Sequence, residues 1–454
     1  MGTRGRDCPA SRDPPDGDRA GRSDDGASRP LAQCRIDRIG LTETVTVESA
    51  AMADAAESPD DFRARVRSWY DENATPRAET DPWAVNVHTD HETEHHHFEL
   101  SRNWQGKLAA AGLMGIAYPA AYGGGGGAGW MTRIEREISR DYEENTGFPG
   151  ATTAMLAPAL LRHASEEQKL EYLPKLLSAE LTFCQLFSEP GSGSDLASLG
   201  TRAIRDGDEF IVTGQKVWNS AAQLCDWGFL LVRTDPDAPK HRGITFVLVD
   251  MSTPGIDVRP LVQINGSAHF NEVFLDEVRI PVANVIGEIN EGWTVARTVL
   301  ANEAAFIGGS AKTLASTNLR TLAEAAGLTD DANVRQELAD LITRERVVAW
   351  MGEQIQQAVR RGEMPPMDPG LIKLMTADNR VRSGNMAMQI TGAGGIAGDS
   401  PETTWSRVEL MMRFAVSIGG GTNEVLRNNV GERALGLPRE PGYDKNQPWK
   451  DIPR

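Results

Sequence analysis

Cysteine is scarce in this chain. Its 454 residues include four: Cys8, Cys34, Cys184 and Cys225. Their spacing fits neither a Cys-x-x-Cys metal site nor a disulfide framework, so a reducing, cytoplasmic setting is the simple expectation. Long apolar runs are missing too. None approaches the roughly 20 residues that a membrane-spanning helix needs, and no span is expected. Positive charge is in deficit, with 47 Lys and Arg against 64 Asp and Glu and a formal net charge of −17. Nucleic acid and anionic membrane surfaces are therefore poor candidates for main partners. A locally basic pocket for a small anion stays open. No internal repeat is found, and the length is too great for one compact core, so two or three domains are expected.

Composition divides the chain. Residues 1–55 are rich in Arg, Asp, Gly, Pro and Ser, almost free of aromatics and without an apolar period, which predicts disorder. They also lack the apolar segment of a signal peptide. Met52 stands just before ordinary helical sequence begins and is expected to be the natural start. Residues 56–180 read as helical. Ser58-Pro59-Asp60-Asp61 supplies a cap, a proline at the first position and acids in the first turn. The glycine run within Tyr118–Gly129 is a loop. Ser165 is expected to cap a further helix that Pro174 limits. Residues 181–288 carry short β-branched and aromatic runs separated by turn residues (EFIVTG, WGFLLVRT, GITFVLVD, IDVRPL, NEVFLDEVRI), which predicts a small antiparallel β domain. Residues 289–436 are helical again, with a glycine-rich break at Ile390–Gly398. Residues 437–454 are Pro-rich and polar and read as an extended tail. Helices, then strands, then helices is an α+β arrangement.

Two segments carry the chemistry. The first, FCQLFSEPGSGSD at Phe183–Asp195, is a short strand ended by Pro190, with Gly191 and Gly193 permitting a tight turn and close approach of a ligand to the backbone. The second, GQKVWNS at Gly214–Ser220, sets Trp218 and Ser220 two residues apart, on one face of a regular strand. Neither segment is a P-loop or a GxGxxG fingerprint. A flat aromatic and two hydroxyls, Ser188 and Ser220, beside a glycine turn suit a large planar ring that forms hydrogen bonds. On residue types alone, a core tryptophan next to an ordinary turn fits equally well. Together the two segments closely resemble the flavin-binding motifs of the acyl-CoA dehydrogenase family, and the resemblance covers about residues 56–440.

That resemblance implies an N-terminal helical domain, a middle antiparallel β domain and a C-terminal helical bundle. It implies FAD as cofactor, an acyl-CoA thioester from lipid or steroid catabolism as substrate, and an electron-transfer flavoprotein as electron acceptor. Carried over by motif, Gln185, Phe187, Ser188, Gly193, Ser194, Trp218 and Ser220 hold the flavin, and Thr422 and Asn423 lie in the FAD-adenosine stretch. Trp218 shields the ring, while Ser188 and Ser220 donate to its nitrogens and oxygens. A further set reaches across a dimer interface to the neighbour's FAD. Gln389 and Gly392 fit its Q-x-x-G-G pattern, and Ala393 replaces the second glycine. Its R-x-x-F-G partner is lost from LAEAAGLTDDANVRQ, where only Gly327 remains. The missing arginine normally pairs with the pyrophosphate, a contact worth about 1.5–3 kcal/mol. The family therefore implies either a homodimer or homotetramer that compensates elsewhere, or an α2β2 heterotetramer with a related chain that supplies the arginine.

The usual base of the family is absent. Matching Gly421-Thr422 to the family's Gly-Thr places Gly420 where Glu stands in Y-E-G-T. Members of the isovaleryl and long-chain type carry the carboxylate on the helix after the β domain, and Glu303 falls at that position here. Its helical neighbours Val299, Leu300, Phe306 and Ile307 are apolar. Burial among them would raise its pKa toward the working range of a general base. A Glu salt-bridged within the helix or at an interface is the alternative. Gly420 still offers a backbone N–H to polarise the thioester carbonyl together with a flavin ribityl hydroxyl, and Ser194, Gly420 and Gly421 are assigned to substrate. Glu424 is a poorer base candidate. Ala304 replaces an arginine that often follows the helix Glu and helps to hold CoA. The His-rich run His88–Phe98 is read as a solvated or interface segment rather than a metal cluster. Two functions remain in view: α,β-dehydrogenation of an acyl-CoA by Glu303 and FAD, and a structural subunit whose partner does the chemistry. Oxidase or monooxygenase chemistry on the same fold is a weaker third.

Overall fold

A computed structural model describes residues 57–77, 81–85, 90–145, 147–309, 315–363, 367–368, 370–439, 441–442 and 444–452. The expected disorder of residues 1–55, the start at Met52 and His88 lie outside them. The first helices are α1 (Pro59–Asn73), α2 (His91–Ala110), α3 (Gly129–Ser139), α4 (Gly147–His163) and α5 (Glu166–Leu177), with two short strands, β1 (Thr75–Pro76) and β2 (Tyr142–Glu143), paired antiparallel. Ser58 Oγ accepts the Asp61 N–H at 3.2 Å and Pro59 opens α1, as the sequence predicts. Phe62, Val66 and Tyr70 recur at helical spacing and pack with Trp104, Leu108, Ile134 and Ile138. A capping box at Ser165 starts α5. The helix does not stop at Pro174 but continues to Leu177. The proline falls in the last turn, where its missing N–H forfeits a single bond to Leu170.

The middle strands are β3 (Phe183–Leu186), β4 (Arg202–Asp206), β5 (Glu209–Ser220), β6 (Trp227–Arg233), β7 (Ile244–Asp250), β8 (Ile256–Leu261) and β9 (Phe270–Pro281). They form one sheet in the order β3-β6-β4-β5-β9-β8, with β7 on β6. Its long pairings are antiparallel, as expected, but β3 joins β6 in parallel. β6 and β7 are buried on both faces. Their alternation splits them between two cores. Phe229, Leu231, Phe246 and Leu248 pack with Leu156 and Leu160 of α4 and with Val295 and Val299 of the next helix. Leu230, Val232, Val247 and Val249 face Val273, Leu275 and Val278.

The C-terminal helices are α6 (Gly292–Gly309), α7 (Ala315–Ala325), α8 (Ala332–Arg360), α9 (Gly370–Thr391), α10 (Ala393–Ala397), α11 (Pro401–Met412), α12 (Ala415–Ile418) and α13 (Asn423–Asn429), the last running into a wider turn that ends at Ala434. Gly292 lets α6 start against β7, since a Cβ there would lie 2.3 Å from the Phe246 nitrogen. From that start α6 packs Val295 and Val299 against Phe246 and Leu248 of β7. The tail is not merely extended. Trp449 is buried, its ring under the Arg233 guanidinium at 4.5 Å, and its backbone N–H bonds Ala238 at 2.9 Å.

Candidate functional site

The two motifs of the middle domain form one unit. After β3, Glu189 and Ser192 exchange backbone hydrogen bonds of 3.1 and 3.0 Å, closing the turn over Pro190 and Gly191. A Cβ on Gly191 or Gly193 would meet nothing within 4 Å, so open space borders this backbone. From β5, the Val217 N–H donates to the Ser188 carbonyl at 2.9 Å and Asn219 Nδ2 to the Gln185 carbonyl at 2.7 Å. Lys216, wholly buried, donates to the Phe187 carbonyl at 3.1 Å and to Glu189 Oε1 at 2.8 Å. Glu189 also accepts the N–H groups of Gly200 and Thr201. Burial pushes the Glu189 carboxyl up, but Lys216 and these donors together hold it below the usual carboxylate range. Burial depresses Lys216 against the pull of Glu189. The Glu of Ser-Glu-Pro is thus a structural ion that joins the motifs, and Lys216, its partner, was not singled out by sequence reasoning.

Trp218 departs from the regular strand. In the β5–β9 register Val217 faces Glu272, Asn219 faces Asn271 and Ser220 faces Phe270, which leaves Trp218 as the extra residue of a bulge with φ +64°. Simple alternation therefore does not set Trp218 and Ser220 on one face. A large residue at positive φ is strained, and such strain concentrates at functional sites. Here it leaves the indole 61% exposed and edge-on to Phe270, with ring centroids 6.0 Å apart. Trp218 is no core tryptophan. Phe187 is the core aromatic instead, packed edge-on against Phe229 and Phe246, so its side chain is not available to a ligand. Ser188 and Ser220 are half-buried, and Gly193 and Ser194 are exposed.

Glu303 lies near the end of α6 and meets this unit. Gln185 Nε2 donates to Glu303 Oε2 at 3.3 Å. Burial raises the Glu303 carboxyl above its ordinary value, while Gln185, the Gly420 N–H and the charge of Lys373 pull the other way. The carboxylate thus reaches the backbone of the residue that stands where the common base is missing. The N–H expected to polarise a thioester carbonyl lies near enough to that carboxylate to favour its ionised form. The apolar surround is less complete than the helical spacing suggests: Val299 is fully buried and Leu300 partly, but Phe306 is exposed. The side chain of Ile307 lies outside the described residues. Gly420 and Gly421 both have positive φ, +66° and +91°. Lys373, 2% exposed on the first turn of α9, donates from Nζ to the Gly421 carbonyl at 2.5 Å. Sequence reasoning missed it, because one lysine in LIKLM reads as an ordinary helix residue.

The loop continues into α13, where Thr422 Oγ1 caps the Val425 N–H at 3.3 Å. The Asn423 Oδ1 is buried with no hydrogen-bond partner among the described residues. Glu424 is exposed beside Arg427 at 3.4 Å, a poor place for a base. Gln389 and Gly392 are not part of this constellation. Both are exposed at the far end of α9, about 24 Å along the helix from Lys373 at 1.5 Å per residue. Gly327 follows α7 with φ +69°. Of the His-rich run, His91 and His95 stack on the first turns of α2, and no group of His, Cys, Asp and Glu among the described residues could hold a metal. Nor is any described helix long and apolar enough to cross a membrane. The exposed Trp218 face, the open glycine backbone of the SEPGSG turn and the orphaned Asn423 oxygen fit FAD, which would use the face for its ring and the oxygen as a hydrogen-bond acceptor.

Known proteins match the chain along most of its length. Family models described as "Acyl-CoA dehydrogenase", N-terminal, middle and C-terminal domain, match residues 56–180, 184–278 and 290–435. Acyl-CoA dehydrogenase FadE34 of Mycobacterium tuberculosis is 38% identical over 73% of this chain, which spans 46% of that relative's length. Acyl-CoA dehydrogenase IpdE1 of the same organism is 35% identical over 84% of this chain and 98% of its own. A solved structure titled "Tcur3481-Tcur3483 steroid ACAD" is 28% identical, with TM-score 0.69, covering 86% of this chain and 99% of that one.

Proposed function

The chain belongs to the acyl-CoA dehydrogenase family, and from that premise we propose that it oxidises an acyl-CoA thioester to the trans-2-enoyl-CoA with Glu303 as the base. The observation that carries this reading is the meeting of Glu303 with Gln185 of the flavin motif and with Gly420, where the family's other base would stand. The Cα–H bond breaks and its proton passes to the Glu303 carboxylate. The electron pair left behind forms the Cα=Cβ bond as the β-hydrogen departs as hydride. FAD, when bound, supplies the acceptor for that hydride. Trp218 would cover its ring and Ser188 and Ser220 would donate to it, while Gln185, which would border it, donates to the Glu303 carboxylate. Ser194, Gly420 and Gly421 line the thioester, and substrate entry would redirect the Gly420 N–H from Glu303 to the carbonyl oxygen. An electron-transfer flavoprotein takes the electrons onward.

A second reading is favoured by two departures, Ala304 and the lost R-x-x-F-G. Under it the chain is one half of a heteromer and relies on a related partner for the arginine. Exposed Gln389 and Gly392 then serve the partner's FAD. One experiment separates catalysis from a purely supporting role. FAD-loaded protein, alone and co-purified with a related chain, is mixed anaerobically with CoA esters from short branched acyl groups to steroid side chains. The flavin band should bleach with at least one ester as the enoyl product accumulates. Full FAD occupancy with no bleaching by any ester sinks the catalytic reading.

A further inference from the structure

Lys373 is the one feature of this site that neither motif explains. An ammonium this deeply buried is costly unless it is paired, so its place demands a role. Its Nζ holds the Gly421 carbonyl at 2.5 Å. Gly420 and Gly421 have no side chains with which to lock their left-handed conformations, and this bond ties their turn to α9. The charges facing Lys373 are Glu303 from α6 and Glu424 from α13. Facing Glu303 are Lys373 from α9, Gln185 from β3 and the Gly420 backbone. From α4, His163 reaches α6 at Thr298 Oγ1, 2.8 Å away, and burial lowers its pKa toward the neutral form. Among the described residues the base therefore has one cation close enough to act on it, and that cation is bonded to the loop that completes the site.

We propose that Lys373 is a positioning residue for the dehydrogenation: through its bond to the Gly421 carbonyl it anchors the Gly420–Gly421 turn beside Glu303 and sets its ammonium on the side of that carboxylate. The inference rests on the reading of Glu303 as the base. Burial raises the Glu303 carboxyl while Gln185, the Gly420 N–H and Lys373 pull it down, so removing the ammonium takes away one of the three effects that oppose burial. At neutral pH more of the carboxyl is then protonated and unable to act.

The test follows the rate of flavin bleaching against pH in FAD-loaded protein under saturating acyl-CoA. In Lys373→Met the acidic limb should move to higher pH than in the wild type, since a nearby opposite charge favours the ionised carboxylate. Lys373→Arg should return the limb toward its wild-type position. Lys373→Gln keeps an N–H donor for Gly421 without the charge. It guards against a Met variant that fails to fold, and its limb should also move up. A merely structural lysine would change rate and stability but not the limb. If Lys373→Met and Lys373→Gln fold and leave the limb in place while Glu303→Gln is silent, the Lys373 proposal is overturned and the base reading stands. Bleaching by Glu303→Gln at the wild-type rate overturns both.

Discussion

Glu303 shows how the side chain proposed as the base also carries a cost to folding. Burial raises its carboxyl above the ordinary value, so the folded protein binds that proton more tightly than the unfolded chain. The stabilising effect of protonation is fully present below the unfolded pKa and is lost as pH rises through the folded one. Above that, the ionised carboxylate works against folding, by about 1.4 kcal/mol for each pH unit that separates the folded and unfolded pKa values. Glu303→Gln is permanently neutral and escapes this. At neutral pH its melting temperature should equal or exceed that of the wild type, with the gap closing at pH 4 and below. Calorimetry across that range checks the sign. A variant that is less stable at pH 7 than at pH 4, relative to wild type, would show that the native fold favours the ionised form.

At the scale of elements, the flavin motifs are held together by a buried ion pair and a bulge. Lys216→Met leaves Glu189 as a buried charge without its cation and should cost about 3–5 kcal/mol in urea unfolding, with loss of FAD affinity. The pair Lys216→Met with Glu189→Gln should recover part of that cost. If the single variant unfolds like wild type, the pair is not what joins the motifs. Much of this level was legible in the sequence. EFIVTG, WGFLLVRT, GITFVLVD, IDVRPL and NEVFLDEVRI all became strands, because β-branched runs between turn residues are a local signal. The caps at Ser58 and Ser165 were legible for the same reason. The bulge at Trp218 was not, since an extra residue is defined by its partner strand, and nothing in KVWNS announces one. The docking of Trp449 onto Arg233 was hidden likewise, by more than 200 residues of separation. Glu303 could be found by position within a motif. Lys373 could not, because its importance comes from a contact with a loop 48 residues away.

For the whole molecule, the residues assigned to the cofactor fall in two separate places. Gln185, Trp218, Glu303 and the Gly420–Gly421 turn belong to this chain, while Gln389 and Gly392 lie exposed beyond its own constellation. The lost R-x-x-F-G makes assembly the variable to control. Expressed alone, the chain should carry less than one FAD per protomer. Co-expression with a related chain that keeps the arginine should raise the flavin-to-protein absorbance ratio to stoichiometry. Full flavin content in the protein expressed alone would favour a homo-oligomer that compensates elsewhere.

The central claim is that Glu303 takes the α-proton, and a single turnover of Glu303→Gln tests it most directly. FAD-loaded variant is mixed anaerobically with an acyl-CoA that bleaches the wild type, and absorbance is followed at the flavin band. The account predicts a yellow protein that binds the thioester but loses about a thousandfold in bleaching rate, within the range that a positioned base usually contributes. Bleaching at the wild-type rate would contradict it.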